Sequence, residues 1–186
     1  EAIATGSPRE KMYGGWWSGA EPDVVPAGDG AKGYNALALQ HSADYDAPVV
    51  KEILAKVHGG GQGTGPKEEV GQVMYVRGLI AAMLAVEGVK VAQDRFGKGK
   101  WISPEQARWG YENLNLTQAK LDALGFAGVM RPISTSSADH RGATWARIHT
   151  WDGKKWNYSS DWYQADESII TPMIKASANK YAQEKK

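Results

Sequence analysis

Apolar residues recur at spacings of three and four through KEEVGQVMYVRGLIAAMLAVEGVKVAQDRF, residues 67–96, at Val70, Val73, Met74, Ile80, Ala81, Leu84, Val91 and Ala92. That period sets them on one face of an α-helix, and Val76, Leu79, Met83 and Val86 widen the stripe around most of its girth. Such a helix is expected to be packed on several sides. At ~1.5 Å per residue it reaches roughly 40 Å, the breadth of a small domain. Each fully buried Leu, Val or Met contributes on the order of 1.5–3 kcal/mol, so the core is expected to be built against this element. Glu68 and Glu69 near its start and Lys90 and Arg95 near its end suit the helix dipole. The same charges make it too interrupted for a membrane span.

Shorter patterns surround it. KMYGGWWSG, residues 11–19, predicts a short strand at 11–13 with Trp16 and Trp17 at its mouth, and its glycines allow close backbone approach. Residues 20–30 (AEPDVVPAGDG) read as a loop, and 33–40 (GYNALALQ) as a strand. Asp46 as N-cap and Pro48 in the first turn open a helix with Val49, Val50, Ile53, Leu54 and Val57 on one face, ending at Gly59. Ser103-Pro104-Glu105-Gln106 is a capping-box start, and Thr117 to Gly125 bounds another short helix. A strand is expected over 129–133. Alternation at Trp145, Arg147, His149 and Trp151, followed by Asp152-Gly153 and then Trp156 and Tyr158, predicts a β-hairpin. The C-terminal ESIITPMIKASANKYAQEKK reads as an amphipathic surface helix.

Composition changes this picture in few places. The chain has 186 residues, 42% hydrophobic and 23% charged, which is ordinary globular usage. A net charge of +1 gives no electrostatic reason to expect nucleic acid or an anionic membrane. No cysteine is present, which removes disulfide and thiolate chemistry. Eight tryptophans against two phenylalanines is unusual. Indoles suit places where an apolar ring is buried while its N–H finds a partner, as in pockets and interfaces. The opening EAIATG reads as a last helical turn closing at Gly6, so a truncated chain is expected.

Several chemical motifs are weak. Residues 59–65 (GGGQGTG) follow a helix and lack the Gly-Lys-Ser/Thr ending of a phosphate loop, so they read as a surface connection. Asn115-Leu116-Thr117 and Asn157-Tyr158-Ser159 match the glycosylation sequon, a pattern too short to weigh. Histidines at 41, 58, 140 and 149 show no metal-ligand spacing, so no metal and no cofactor are expected. Asp139 beside His140, with Ser134, Ser136 and Ser137 nearby, raises a hydrolytic alternative. No nucleophile elbow surrounds these serines, and an Asp-His pair in a Ser/Thr loop more often forms a hydrogen-bonded turn. A tryptophan-rich carbohydrate-binding module is a further alternative, against which the helices argue.

The order of longer phrases is more informative: WWSGAEPDVVPAGDGAKGY, YVRGLIAAMLAVE, SPEQARWGYENLNLTQAKLDALG, SADHRG and WDGKKWNYSSDW. In this order and spacing the chain resembles the C-terminal part of periplasmic solute-binding proteins of ABC importers, of the branched-chain amino-acid-binding (Leu/Ile/Val) type. The resemblance implies an α/β fold, an incomplete type I periplasmic-binding-protein fold with parts of two lobes joined by hinge strands. Residues 1–38 would end the second-lobe segment, 39–130 would return to the first lobe, and 131–186 would form a hinge crossing, hairpin and C-terminal helix. It implies a non-enzymatic periplasmic protein that binds a small solute by lobe closure. The implied partners are a permease in the inner membrane and the missing N-terminal half, with no nucleic acid. A sensory ligand-binding domain of the same fold is the alternative.

Within the resemblance, Trp16 and Trp17 fall on a second-lobe loop facing the cleft, where amino-acid binders commonly carry a carboxylate for the ligand ammonium. A tryptophan there favours an aromatic or otherwise less polar solute. Adjacent residues in extended backbone point to opposite sides, so Trp16 is expected in the cleft and Trp17 in the lobe. Val70, Gln72 and Tyr75 match the start of the helix whose N-terminus faces the cleft from the first lobe, where free N–H groups are placed to hold a carboxylate.

Overall fold

The computed structural model describes residues 4–39 and 43–184. Along the chain run β1 (Tyr13–Gly14), α1 (Glu21–Val24), β2 (Asn35–Ala38), α2 (Pro48–Glu52), α3 (Val73–Phe96), α4 (Pro104–Glu112) and β3 (Asn115–Leu116). These are followed by α5 (Gln118–Ala123), β4 (Ile133–Ser134), β5 (Trp145–Trp151), β6 (Trp156–Tyr158), β7 (Tyr163–Gln164) and α6 (Glu167–Glu184). Of the helix end expected over residues 1–6, the first three residues lie outside the described ones, as does Gln40 of the expected strand. The turn at Gly6 has a φ of 67°.

Among the described residues, one sheet has five strands. β1 lies parallel to β2, while β2 and β6 flank β5 antiparallel, and β7 pairs with the opening residues of β5. The hairpin forms as its alternation predicts, with Trp151 opposite Trp156. Its turn is held by the Asp152 carboxylate, which accepts from the Lys154 and Lys155 amides at 2.8 and 2.9 Å. Period two then sends Arg147, His149 and Trp151 to one buried side.

Among the described residues, two apolar clusters form. One joins Ala20, Val24, Ala36, Val73, Trp151 and Trp156 beside the sheet. The other joins Val50, Val70, Val76, Ile80, Met83, Leu116, Leu121, Phe126, Val129 and Met130 among the helices. The long helix serves both, because Val73 belongs to the first and Val76 onward to the second. It begins six residues later than its apolar period predicts. Residues Lys67–Glu69 form a 3₁₀ turn, and Gly71 interrupts the helix with a φ of 101°. A side chain at Gly71 would be strained and would meet Tyr45 Cα at 2.9 Å. Glu68 and Glu69 therefore stand outside the first turn, which contains no acidic residue of its own.

The expectation of packing on several sides also needs correction. Val73, Val76, Ile80, Met83 and Ala92 are buried, whereas Met74, Ala81, Ala82, Ala85 and Val86 are exposed. Midway along α3, Glu87 is buried and ion-paired to Lys90 Nζ at 2.7 Å and Lys120 Nζ at 2.6 Å. Burial pushes its carboxyl up, but the two lysines outweigh that and hold it below its ordinary value. This buried charge ties α3 to α5.

Caps follow local chemistry. Ser103 Oγ accepts from the Gln106 amide at 3.3 Å while Gln106 accepts from the Ser103 amide at 2.9 Å. Thr117 caps α5. Ala47, not Asp46, is the N-cap of α2, because Pro48 holds the residue before it in extended backbone (φ −56°, ψ 142°). The strand expected over 129–133 is reduced to Ile133–Ser134: Val129 closes a turn back to Phe126, and Pro132 has no amide to donate. The C-terminal helix α6 buries no residue, and Ile169, Met173, Ile174 and Tyr181 stay exposed along it.

Candidate functional site

The tryptophan loop is built by a turn. After Gly15, in extended backbone, Trp16–Ser18 form one turn of 3₁₀ helix. The Ser18 amide and hydroxyl both donate to the Gly15 carbonyl at 3.0 Å, and Ser18 Oγ lies 3.1 Å from the Tyr34 hydroxyl. Gly19 ends the turn where a Cβ would stand 2.7 Å from Ala36 Cβ and 3.0 Å from His149 Nε2, so only glycine lets the loop close onto the sheet.

Consecutive side chains in a 3₁₀ turn diverge by a third of a turn instead of half. The two indoles consequently stack, with ring centroids 4.0 Å apart and planes at 29°. Trp17 is 76% exposed, while Trp16 is half-buried. The expected division of labour, with Trp17 packed into the lobe, is thus overturned by the helical backbone of the turn. Trp17 is the more open of the pair.

The long helix meets this loop through Arg77. Its guanidinium carbon lies 4.5 Å from the Trp16 ring centroid and 6.0 Å from that of Trp17. Its Nε is buried without a hydrogen-bond partner, and among the described residues no carboxylate pairs with it. Arg77 therefore joins the Trp16–Trp17 loop to the helix whose approach contains Val70, Gln72 and Tyr75.

Those three residues have different surroundings. Val70 is buried in the helix cluster, and Tyr75 packs half-buried against it. Gln72 is the N-cap residue, and its side-chain amide donates to the Glu68 carbonyl at 3.3 Å. The start of α3 already has an anion supplied by the chain itself: Glu21 Oε2 accepts from the Val73 amide at 3.1 Å. Glu21 Oε1 receives the Tyr45 hydroxyl at 2.6 Å, and the residue is only 5% exposed. Burial, followed by this bond to Glu21, pushes the Tyr45 phenol well above its ordinary value.

Arg77 and Glu21 escape the sequence patterns. Arg77 is the first charge inside an apolar run, which is a usable signal. Glu21 sits in a Pro/Gly/Asp-rich stretch that reads as loop, and its partners are far along the chain.

The Asp139–His140 loop is arranged differently from a catalytic pair. Asp139 accepts from Arg141 Nε, Nη2 and amide at 3.0, 2.7 and 2.9 Å, and these bonds hold its carboxyl down at about 2. His140, largely exposed, has Nε2 3.3 Å from Glu112 Oε1. Ser136 Oγ receives the Asp139 amide at 3.1 Å, closing the turn. Beside it opens a concavity of about 720 Å³ walled by Leu84, Ala107, Tyr111, Leu114 and Ile133. Among the described residues, no group of three or more His, Asp or Glu side chains is placed to hold a metal ion.

No protein-family model matches the chain, and no curated protein matches it. Two solved structures do. One is described as an ABC transporter permease from the Pseudomonas fluorescens group: it is 35% identical, with a TM-score of 0.91 over 99% of this chain and 44% of that one. The other is a branched-chain amino acid ABC transporter from Thermus thermophilus with bound valine, 23% identical, with a TM-score of 0.64 over 88% of this chain and 41% of that one. The chain therefore spans less than half the length of either structure. Its fold is a partial type I periplasmic-binding-protein fold, a mixed α/β arrangement. No helix among the described residues is long and apolar enough to cross a membrane.

Proposed function

We propose that the chain is part of the extracytoplasmic solute-binding component of an ABC importer. It binds a small solute between two lobes in the periplasm and delivers it to a permease in the inner membrane. The carrying observation is the likeness to an ABC transporter component along 99% of the chain. In this reading residues 1–38 close the second-lobe segment, 39–130 return through the first lobe, and 131–186 form the last crossing, the hairpin and the C-terminal helix. The two apolar clusters, with α3 shared between them, support two lobes. The solute site includes Trp16 and Trp17 from one lobe and the Val70, Gln72 and Tyr75 approach to α3 from the other.

A further segment of the same protein completes both lobes. Met74, Ala81, Ala82, Ala85 and Val86 form an uncovered apolar side of α3. A second apolar concavity, walled by Leu39, Ile80, Leu84, Met130 and Ile133, lies beside the first. Surfaces of this kind on a domain mark contacts with other protein. The test is a thermal-shift screen of the full-length protein against amino acids, aromatic acids and amides, followed by calorimetry on the hits. Stabilisation by one solute class with a 1:1 stoichiometry supports the proposal. A catalytic turnover of the bound compound, or no stabilisation by any small solute, overturns it.

A further inference from the structure

From the Trp16–Trp17–Arg77 cluster we infer that the solute is a planar aromatic carboxylate. This rests on the proposal that the chain is an importer's solute-binding component. An exposed indole stacked on a second indole offers a flat, polarizable surface, and flat aromatic rings pair with it better than saturated or branched side chains do. Trp17, 76% exposed and backed by Trp16 at 4.0 Å, is such a surface. Arg77 stands beside that surface, its guanidinium carbon 6.0 Å from the Trp17 ring centroid, and its Nε has no hydrogen-bond partner among the described residues. A guanidinium presents a planar fork of N–H donors matched to a carboxylate, and among the described residues no side-chain carboxylate pairs with this one.

The remaining charges set the selectivity. The buried carboxylate at the start of α3, Glu21, is engaged through both oxygens, one by the Tyr45 hydroxyl and one by the Val73 amide. The same bond satisfies an amide at the start of α3, so the helix end is already supplied with an anion by the protein itself. Arg77 is left as the cation of the cluster. An aromatic acid brings the two features that the cluster can receive, a flat ring for the exposed Trp17 indole and a carboxylate for Arg77.

Calorimetric titration of the full-length protein with benzoate and 4-hydroxybenzoate tests this, with benzamide, cyclohexanecarboxylate, L-valine and L-leucine as comparison probes. At least one aromatic acid is expected to bind at least tenfold more tightly than benzamide, which lacks the charge, and than cyclohexanecarboxylate, which lacks the flat ring. Trp17→Ala and Arg77→Met are each expected to weaken aromatic-acid binding at least tenfold, with Arg77→Lys intermediate and His140→Ala within about threefold of the parent, below the tenfold change that ~1.4 kcal/mol makes. The comparison among probes needs no variant, so a folding defect in Arg77→Met leaves the result readable. Equal affinity for benzoate and benzamide, or tight binding of L-valine or L-leucine without aromatic acids, overturns the inference and leaves the importer reading standing. Binding of none of these and of no solute in the wider screen removes both.

Discussion

The tryptophans of the hairpin and those of the glycine-flanked loop are the same residue in opposite circumstances. Trp151 and Trp156 face each other across β5 and β6, are each 3% exposed, and close the sheet-side core. Trp16 and Trp17 lie on a 3₁₀ turn, stack on one another and reach solvent. Regular alternation in a strand gives each side chain a fixed side, and burial follows from which side the core occupies. A tight turn gives no such assignment, so its side chains pack on each other and on the nearest cation. Aromatic content alone thus does not separate core from site; the backbone beneath each ring does.

The sharpest way to break the contrast is to delete one ring from each region and compare melts of the full-length protein. Trp156→Ala removes a ring packed against Trp151, Tyr34 and His149, and is expected to cost about 3–5 kcal/mol. A loss under about 1 kcal/mol would place the hairpin rings outside the core.

Acid is the next largest probe, because the hairpin core contains a titratable ring. His149 is buried, stacks on Trp156 at 4.0 Å, and neither of its ring nitrogens has a hydrogen-bond partner. Burial, with the nearby Arg147 charge adding to it, depresses its pKa from 6.5 to about 4. Between those values the unfolded chain binds the proton that the folded one refuses. His149 is therefore compatible with full stability above 6.5, and its contribution is lost as pH falls from there to about 4. The loss is on the order of 3 kcal/mol, at ~1.4 kcal/mol per pKa unit. Denaturant melts across this window, repeated with His149→Phe, isolate it; an unchanged pH slope in the variant contradicts the assignment.

The loop predicts smaller effects on stability. Trp16→Ala loses the stack and the Arg77 contact together, about 2 kcal/mol when aromatic pairing and cation–π attraction are added. Trp17→Ala, at the open end of the stack, is expected to cost no more than about 1 kcal/mol. Its melting temperature should lie nearest to the parent's of the rings compared. If Trp17→Ala were as damaging as Trp156→Ala, the contrast between the two regions would disappear.

Much of the fold was legible in local pattern. The hairpin over 145–158 follows from period-two alternation and the Asp152-Gly153 turn, and α4 from the Ser103–Gln106 capping box. These depend on residues within a few positions of each other. Less legible were the boundaries set by distant partners. Gly71 breaks the long apolar period where the chain passes Tyr45, and Val73 turns to the sheet while Val70 turns to the helices. Of the candidate site, the Trp16–Trp17 loop and the approach to α3 were named from the resemblance, but Arg77 and Glu21 were missed. Their roles depend on contacts across more than fifty residues of chain, which no periodicity encodes.

By itself, the sequence determined the hairpin and the caps at Ser103 and Thr117, because those energies are local: backbone preference, side-chain-to-backbone bonds and alternation. It also determined, through the order of its phrases, the fold to which the chain is similar. Only the tertiary structure decided which tryptophan is open, which carboxylate caps α3 and which cation stands beside the indoles. Each of those depends on two segments meeting in space, where burial removes water and leaves a charge or an amide to find whatever partner the fold supplies.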